Sequence, residues 1–139
     1  MIKIIFLLTT GITFALSSQV TISTKIVGKI IFALNSDAKI WLNKETNYID
    51  TINTNKLNIV NYCKDANIVI INSRKRIPIN CKGLPVITFE YSLLKDNKNA
   101  VASFFWKRGR PNIVFVKDRL NNFNIKIPLK YNSYLIDSI

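Results

Sequence analysis

Residues 104–111 read Phe104-Phe105-Trp106-Lys107-Arg108-Gly109-Arg110-Pro111, three aromatic rings running directly into three cations around one glycine. That is recognition chemistry: rings supply apolar contact area, while ammonium and guanidinium groups make charge-assisted hydrogen bonds to carboxylates and phosphates. Trp106, Lys107, Arg108 and Arg110 are therefore the candidate partner-binding residues, with core packing of both faces of the aromatic run as the competing assignment. A second basic cluster, Arg74-Lys75-Arg76, is either a solvated loop or a further docking point. Catalysis finds less to work with. The chain has no histidine, which excludes Ser-His-Asp and Cys-His nucleophiles and histidine-ligated metals. It has no G-x-S-x-G, no Walker loop and no H-E-x-x-H, and its eight carboxylates form no close acidic motif. Asp65 and Glu90 are the kind of distant pair that only folding brings together. We expect a binding protein rather than an enzyme, with no cofactor and no metal.

Cys63 and Cys81 are the only cysteines, and what they do depends on the compartment. Met1-Ile2-Lys3 is a short positive start, residues 4–16 form an apolar run softened by Thr9, Thr10, Gly11 and Thr13, and Ala15 and Ser17 have the small-residue spacing that a signal peptidase reads. Residues 1–18 thus read as a signal peptide cut after Ser17 or Ser18, and residues 19–139 as one domain. The apolar run is shorter than the about 20 residues that span a bilayer. No cysteine stands at the cut to carry a lipid anchor. A soluble periplasmic protein is the expectation. In that oxidising compartment Cys63 and Cys81 are expected to form one structural disulfide, worth roughly 3 kcal/mol through loop entropy, with a pair of buried thiols as the alternative.

The chain that must position these groups has 139 residues, 48% of them apolar, which suits one compact core. Ile26, Val27, Ile30, Ile31 and Leu34 have the spacing of one buried helix face, predicting a helix over 25–34. Asn35-Ser36-Asp37 ends it, and Lys39-Ile40-Trp41-Leu42 is a short strand. Residues 43–56 are polar, with a thin helical stripe of Tyr48, Ile49 and Ile52. Short strands are expected at 58–60, at the β-branched run 67–71, which suits a central strand buried on both faces, and at 85–89. Residues 101–106 and 112–116 read as a hairpin closed by a tight Gly109-Pro111 turn. In it Phe104 and Trp106 share one side and Phe105 faces the other. A short helix from Lys117, a turn and a terminal helix complete the chain. Strands alternating with short helices make this an α/β protein: one three-layer domain, a mostly parallel sheet, and a C-terminal β-hairpin plus short helices.

This order of elements resembles the YfiR family of small exported bacterial proteins from about Lys25 to Leu135. The matching pieces are the opening amphipathic helix before Lys39-Ile40-Trp41-Leu42, then Cys63-Lys64-Asp65-Ala66-Asn67-Ile68-Val69-Ile70 in place of that family's Ala-Asp-hydrophobic strand, then Leu84-Pro85-Val86-Ile87-Thr88. The closing hairpin, followed by Leu120, Ile125, Ile127 and Leu135, is similar in order to the family's last third. Two positions depart from the pattern: Ala102-Ser103 replaces a glycine pair, and Lys117 stands where an asparagine is usual. The resemblance implies a periplasmic protein that regulates by binding inner-membrane signalling proteins, best known among them diguanylate cyclases.

Charge points the same way. The formal net charge is +12, and loss of Lys3 with the leader leaves +11, a field that attracts acidic partners. Export argues against nucleic acid, although basic residues beside stacking rings also resemble a single-strand platform. The expected function is a periplasmic regulatory binding protein docking on an inner-membrane signalling protein, such as a diguanylate cyclase or sensor kinase. An anionic membrane surface and a second copy of the chain are the other candidate partners. The alternative function is a small solute-binding or accessory protein with an anion pocket at the strand ends. Export has a direct check: protein isolated from its native host should give an intact mass lacking residues 1–17 or 1–18, and a mass that retains them contradicts cleavage.

Overall fold

In the computed structural model, which describes residues 9–43, 52–72 and 77–139 with side chains from Ser18 onward, strand β2 (Ile68–Ile71) is buried along its whole length. Four consecutive β-branched side chains suit this position, because an inner strand of a parallel sheet has no face turned to water. β1 (Ile40–Leu42) and β3 (Val86–Thr88) flank it, both parallel to it. β4 (Ala100–Lys107) lies parallel beside β3, β5 (Arg110–Val116) runs antiparallel to β4, and β6 (Leu135–Ile136) pairs parallel with the last two residues of β5. The six strands therefore stand in chain order, and four of the five pairings are parallel, as expected for a mostly parallel sheet.

Alternation along the strands sends side chains into two cores. Ile68, Ile70, Ile87, Phe104 and Phe115 meet Val27, Ile30, Ile31 and Leu34 of helix α1 (Thr9–Leu34), with Leu120 of α3 (Lys117–Asn122) and Tyr131 at the far side. Val69, Ile71 and Val86 face the other way, toward Cys63, Cys81 and Leu94 of α2 (Tyr91–Asp96). The result is the expected three-layer α/β domain. Between Val86 and Ile87 the register with β4 slips, so that Val101 is an extra residue between the partners Ala100 and Ala102. Small side chains at Ala100, Ala102 and Ser103 keep β4 thin where both layers press on it.

Several elements differ in extent from the sequence expectation. The helix expected over 25–34 starts at Thr9, so the expected cut lies inside α1. Ser23 is the first buried side chain of the described part of α1, so cleavage after Ser18 would leave all the described packing of α1 intact. The strand expected at 58–60 is a single parallel bridge, Ile59 to Ile40. The stripe of Tyr48 and Ile49 and the cluster Arg74-Lys75-Arg76 lie outside the described residues, whereas Ile52 is fully buried. The terminal helix is replaced by a 3-10 turn, Leu129–Tyr134, followed by β6. Pro128 starts that turn, the sequence beyond it contains Asn132, Ser133, Asp137 and Ser138, all weak helix formers, and the end of β5 offers unpaired backbone to a strand.

Polar groups inside are paired. Thr88 and Ser103, both fully buried and opposite each other in the β3–β4 register, are 2.9 Å apart at their hydroxyls, and Ser103 also donates to the Thr88 carbonyl. Asn67 clamps the entry to β1, accepting from the Lys39 N–H and donating to the Asp37 carbonyl. Arg119 of α3 donates through Nη1 to the carbonyls of Leu94, Asn97 and Ala100 at 2.6, 2.8 and 2.9 Å, closing the end of α2 and its exit into β4. Burial holds its guanidinium below the usual arginine value. Arg119→Ala leaves those three carbonyls without this donor, and urea unfolding should show a loss of about 2 kcal/mol.

Candidate functional site

The hairpin builds upward from its register. β4 and β5 pair from Ala102–Phe115 to Lys107–Arg110, leaving Arg108 and Gly109 as a two-residue loop. Their φ values, 52° and 72°, are both left-handed, the conformation of a type I′ turn whose twist matches the strands it joins. The turn thus lies one residue earlier than the expected Gly109-Pro111. Pro111 sits within β5 opposite Trp106, next to the closing pair. In a hairpin of this kind that second pair exchanges no hydrogen bonds, so the missing proline N–H leaves the ladder intact. Arg108 is a non-glycine residue in left-handed space, a conformation that costs roughly 1 kcal/mol.

Each face of the arm is braced. Trp106 is half-buried against the α1 core, its ring 6.3 Å from that of Phe104 in an edge-on arrangement, and its indole N–H donates to Ser23 Oγ of α1 at 2.8 Å. On the other face Phe105 lies 5.8 Å from the ring of Tyr91 at the start of α2. The expected split, Phe104 and Trp106 to one side and Phe105 to the other, is what the strand shows. The four residues named as partner-binding therefore divide. Lys107, Arg108 and Arg110 are exposed at the tip, and their charged heads have no partner among the described residues, whereas Trp106 is committed to packing and to Ser23.

Ser23 and Tyr91 were not legible as site residues, yet Ser23 left a trace. It falls four positions before Val27 on the stripe that continues to Ile30 and Leu34, and a hydroxyl on a buried stripe calls for a partner. Its neighbour Thr24 behaves likewise: its hydroxyl donates to the Val20 carbonyl and accepts from the Asn53 N–H, both at 2.7 Å.

Cys63 and Cys81 are bonded, with Cα atoms 5.1 Å apart, as expected. They lie in two 3-10 turns, Cys63–Asp65 and Ile79–Cys81, which lead into β2 and β3. A cavity of about 420 Å³ opens beside the bond, lined by Trp41, Asn61, Tyr62, Cys63, Lys64, Pro78 and Asn80. It adjoins the segments that enter β2 and β3. Asp65 and Glu90 are both exposed, one in the turn before β2 and the other at the cap of α2. Among the described residues no group of three or more His, Cys, Asp or Glu side chains is placed to hold a metal, and no helix is long and apolar enough to cross a membrane.

No family model, no curated protein and no solved structure matches this chain. The site is therefore read from its own geometry. Its covalent part can be tested at once: alkylation under denaturing, non-reducing conditions should capture no free thiol, and the Cys63→Ser, Cys81→Ser double variant should lose roughly 3 kcal/mol of unfolding free energy.

Proposed function

We propose that this chain is an exported regulatory binding protein that docks, through the cations of its hairpin tip, on an acidic surface of an inner-membrane signalling protein. The single observation that carries this is the tip itself: Lys107, Arg108 and Arg110 are exposed and unpaired among the described residues, on a tight turn whose arm is braced by α1 on one face and α2 on the other. A rigid arm loses little conformational freedom on binding, and clustered arginines steer acidic partners and hydrogen-bond them on contact. That Arg108 takes a left-handed conformation where glycine or asparagine is easier also favours a role for its side chain. The formal charge, +12 for the whole chain and +11 without Lys3, extends the same attraction over a longer range.

Periplasmic location is supported by the leader pattern and by the Cys63–Cys81 bond, since such bonds persist in oxidising compartments. The resemblance in element order to the YfiR family supports a signalling partner such as a diguanylate cyclase or sensor kinase. Two copies meeting tip to tip would place like charges together, which disfavours that route to a homodimer.

Detergent-solubilised inner membranes of the native host provide the test. The immobilised protein should retain one signalling protein with an acidic periplasmic domain, less of it as salt rises, and none with the Lys107→Ala, Arg108→Ala, Arg110→Ala variant, whose thermal unfolding stays near that of the parent. Trp106→Ala should instead lose about 3 kcal/mol of stability, because the ring fills core and holds Ser23. Undiminished capture by the triple variant would rule out docking through the tip, and binding to anionic vesicles alone would transfer the role to a lipid surface.

A further inference from the structure

The cavity beside the disulfide has a composition that the docking tip does not explain. Its lining joins two aromatic rings, Trp41 and Tyr62, with the side-chain amides of Asn61 and Asn80, one ammonium group on Lys64, and the ring of Pro78. At about 420 Å³ it falls within the roughly 300–1,000 Å³ usual for small-ligand sites. None of these polar side chains, the Trp41 indole N–H included, has a hydrogen-bond partner among the described residues. Tyr62 is 65% exposed, a large apolar ring left open to solvent, with Lys64 Nζ standing 5.7 Å from its centre.

The rims of this cavity are fixed in advance. Asn61, Tyr62 and Lys64 flank Cys63, Pro78 and Asn80 lie just before Cys81, and the covalent bond ties the two rims together. Trp41 is held in register with Val69 on the sheet below. A site formed this way needs no ordering of a loop when a ligand arrives.

The chemistry selects among ligands. A purely apolar ligand would leave two amides unmatched, and a bare phosphate would want several converging cations where Lys64 is the one cation among the described lining residues. Aromatic faces attract the weakly positive C–H face of a pyranose, and amides, which both donate and accept, match ring hydroxyls that do the same. Among the described residues no carboxylate lines the cavity, and Lys64 supplies a positive charge, so a sugar bearing a carboxylate fits better than a neutral one. We propose that the Trp41–Tyr62 cavity binds an acidic saccharide, stacking a uronate-type pyranose on the rings with its carboxylate toward Lys64. This site is separate from the hairpin tip and does not depend on the docking function.

Trigalacturonate and maltotriose are suitable acidic and neutral probes. Calorimetry on the oxidised protein should show saturable binding of trigalacturonate, and in Trp106→Phe, where Trp41 is the sole tryptophan, the same titration should shift the emission. Maltotriose should bind at least about five-fold more weakly, Lys64→Gln should remove that preference, and Tyr62→Ala should raise the Kd for trigalacturonate about ten-fold or more. Tyr62 is exposed enough for the alanine variant to keep its fold, which circular dichroism verifies. The proposal is overturned if trigalacturonate gives no saturable signal up to about 10 mM, if both sugars bind equally, or if Tyr62→Ala binds as the parent does. Binding of a decaproline peptide in place of the sugar would equally overturn it, making the cavity a polyproline groove.

Discussion

Burial of the sheet on both faces is the constraint from which the other features follow. β2, β3 and the first half of β4 have no side turned to water, so each needs a layer above and a layer below. One layer is α1, whose stripe of Val27, Ile30, Ile31 and Leu34 covers the larger core. The other is assembled from short pieces, α2 and two 3-10 turns, too small to hold together by packing alone. A disulfide and Leu94 do for that side what a long helix does for the first.

The same burial decides where polar residues go. Thr88 and Ser103 are tolerated at the sheet centre because each hydroxyl answers the other. Ser23 and Thr24 sit on the buried side of α1 because one receives the Trp106 indole and the other joins the chain near Asn53. Arg119 reaches the carbonyls at the end of α2, where a six-residue helix leaves backbone acceptors unpaired. These contacts link layers that hydrophobic area would hold together without fixing their alignment.

What the sequence disclosed tracks how local the cause is. The run at 68–71 announces a doubly buried strand by composition alone, and the aromatic–basic stretch around Gly109 announces a hairpin by turn chemistry. The cysteine pair was legible from its even count beside a leader-like start. Less local facts were not readable: Arg108, not Pro111, shares the turn with Gly109 because register across β4 and β5 decides it. Anchor and core packing were both open for Trp106, because Ser23, its partner on α1, lies 83 residues away. β6 exists only because β5 has a free edge, which no pattern in residues 135–136 encodes. The ring-lined cavity gathers Trp41, Tyr62 and Pro78 from three segments, a juxtaposition set by topology and the disulfide.

The bond between Cys63 and Cys81 encloses β2 within a closed covalent ring. Under tension applied to the two termini, force passes across the sulfurs and bypasses β2. The chain between them, a sequence separation of 18, is withheld from the extensible contour, which shortens by roughly 60 Å. A chain pulled or threaded end to end can therefore be stripped of α1, the hairpin and β6 while β2 stays in a slack loop. Oxidation turns a strand buried on both faces into the part of the molecule that mechanical load reaches last.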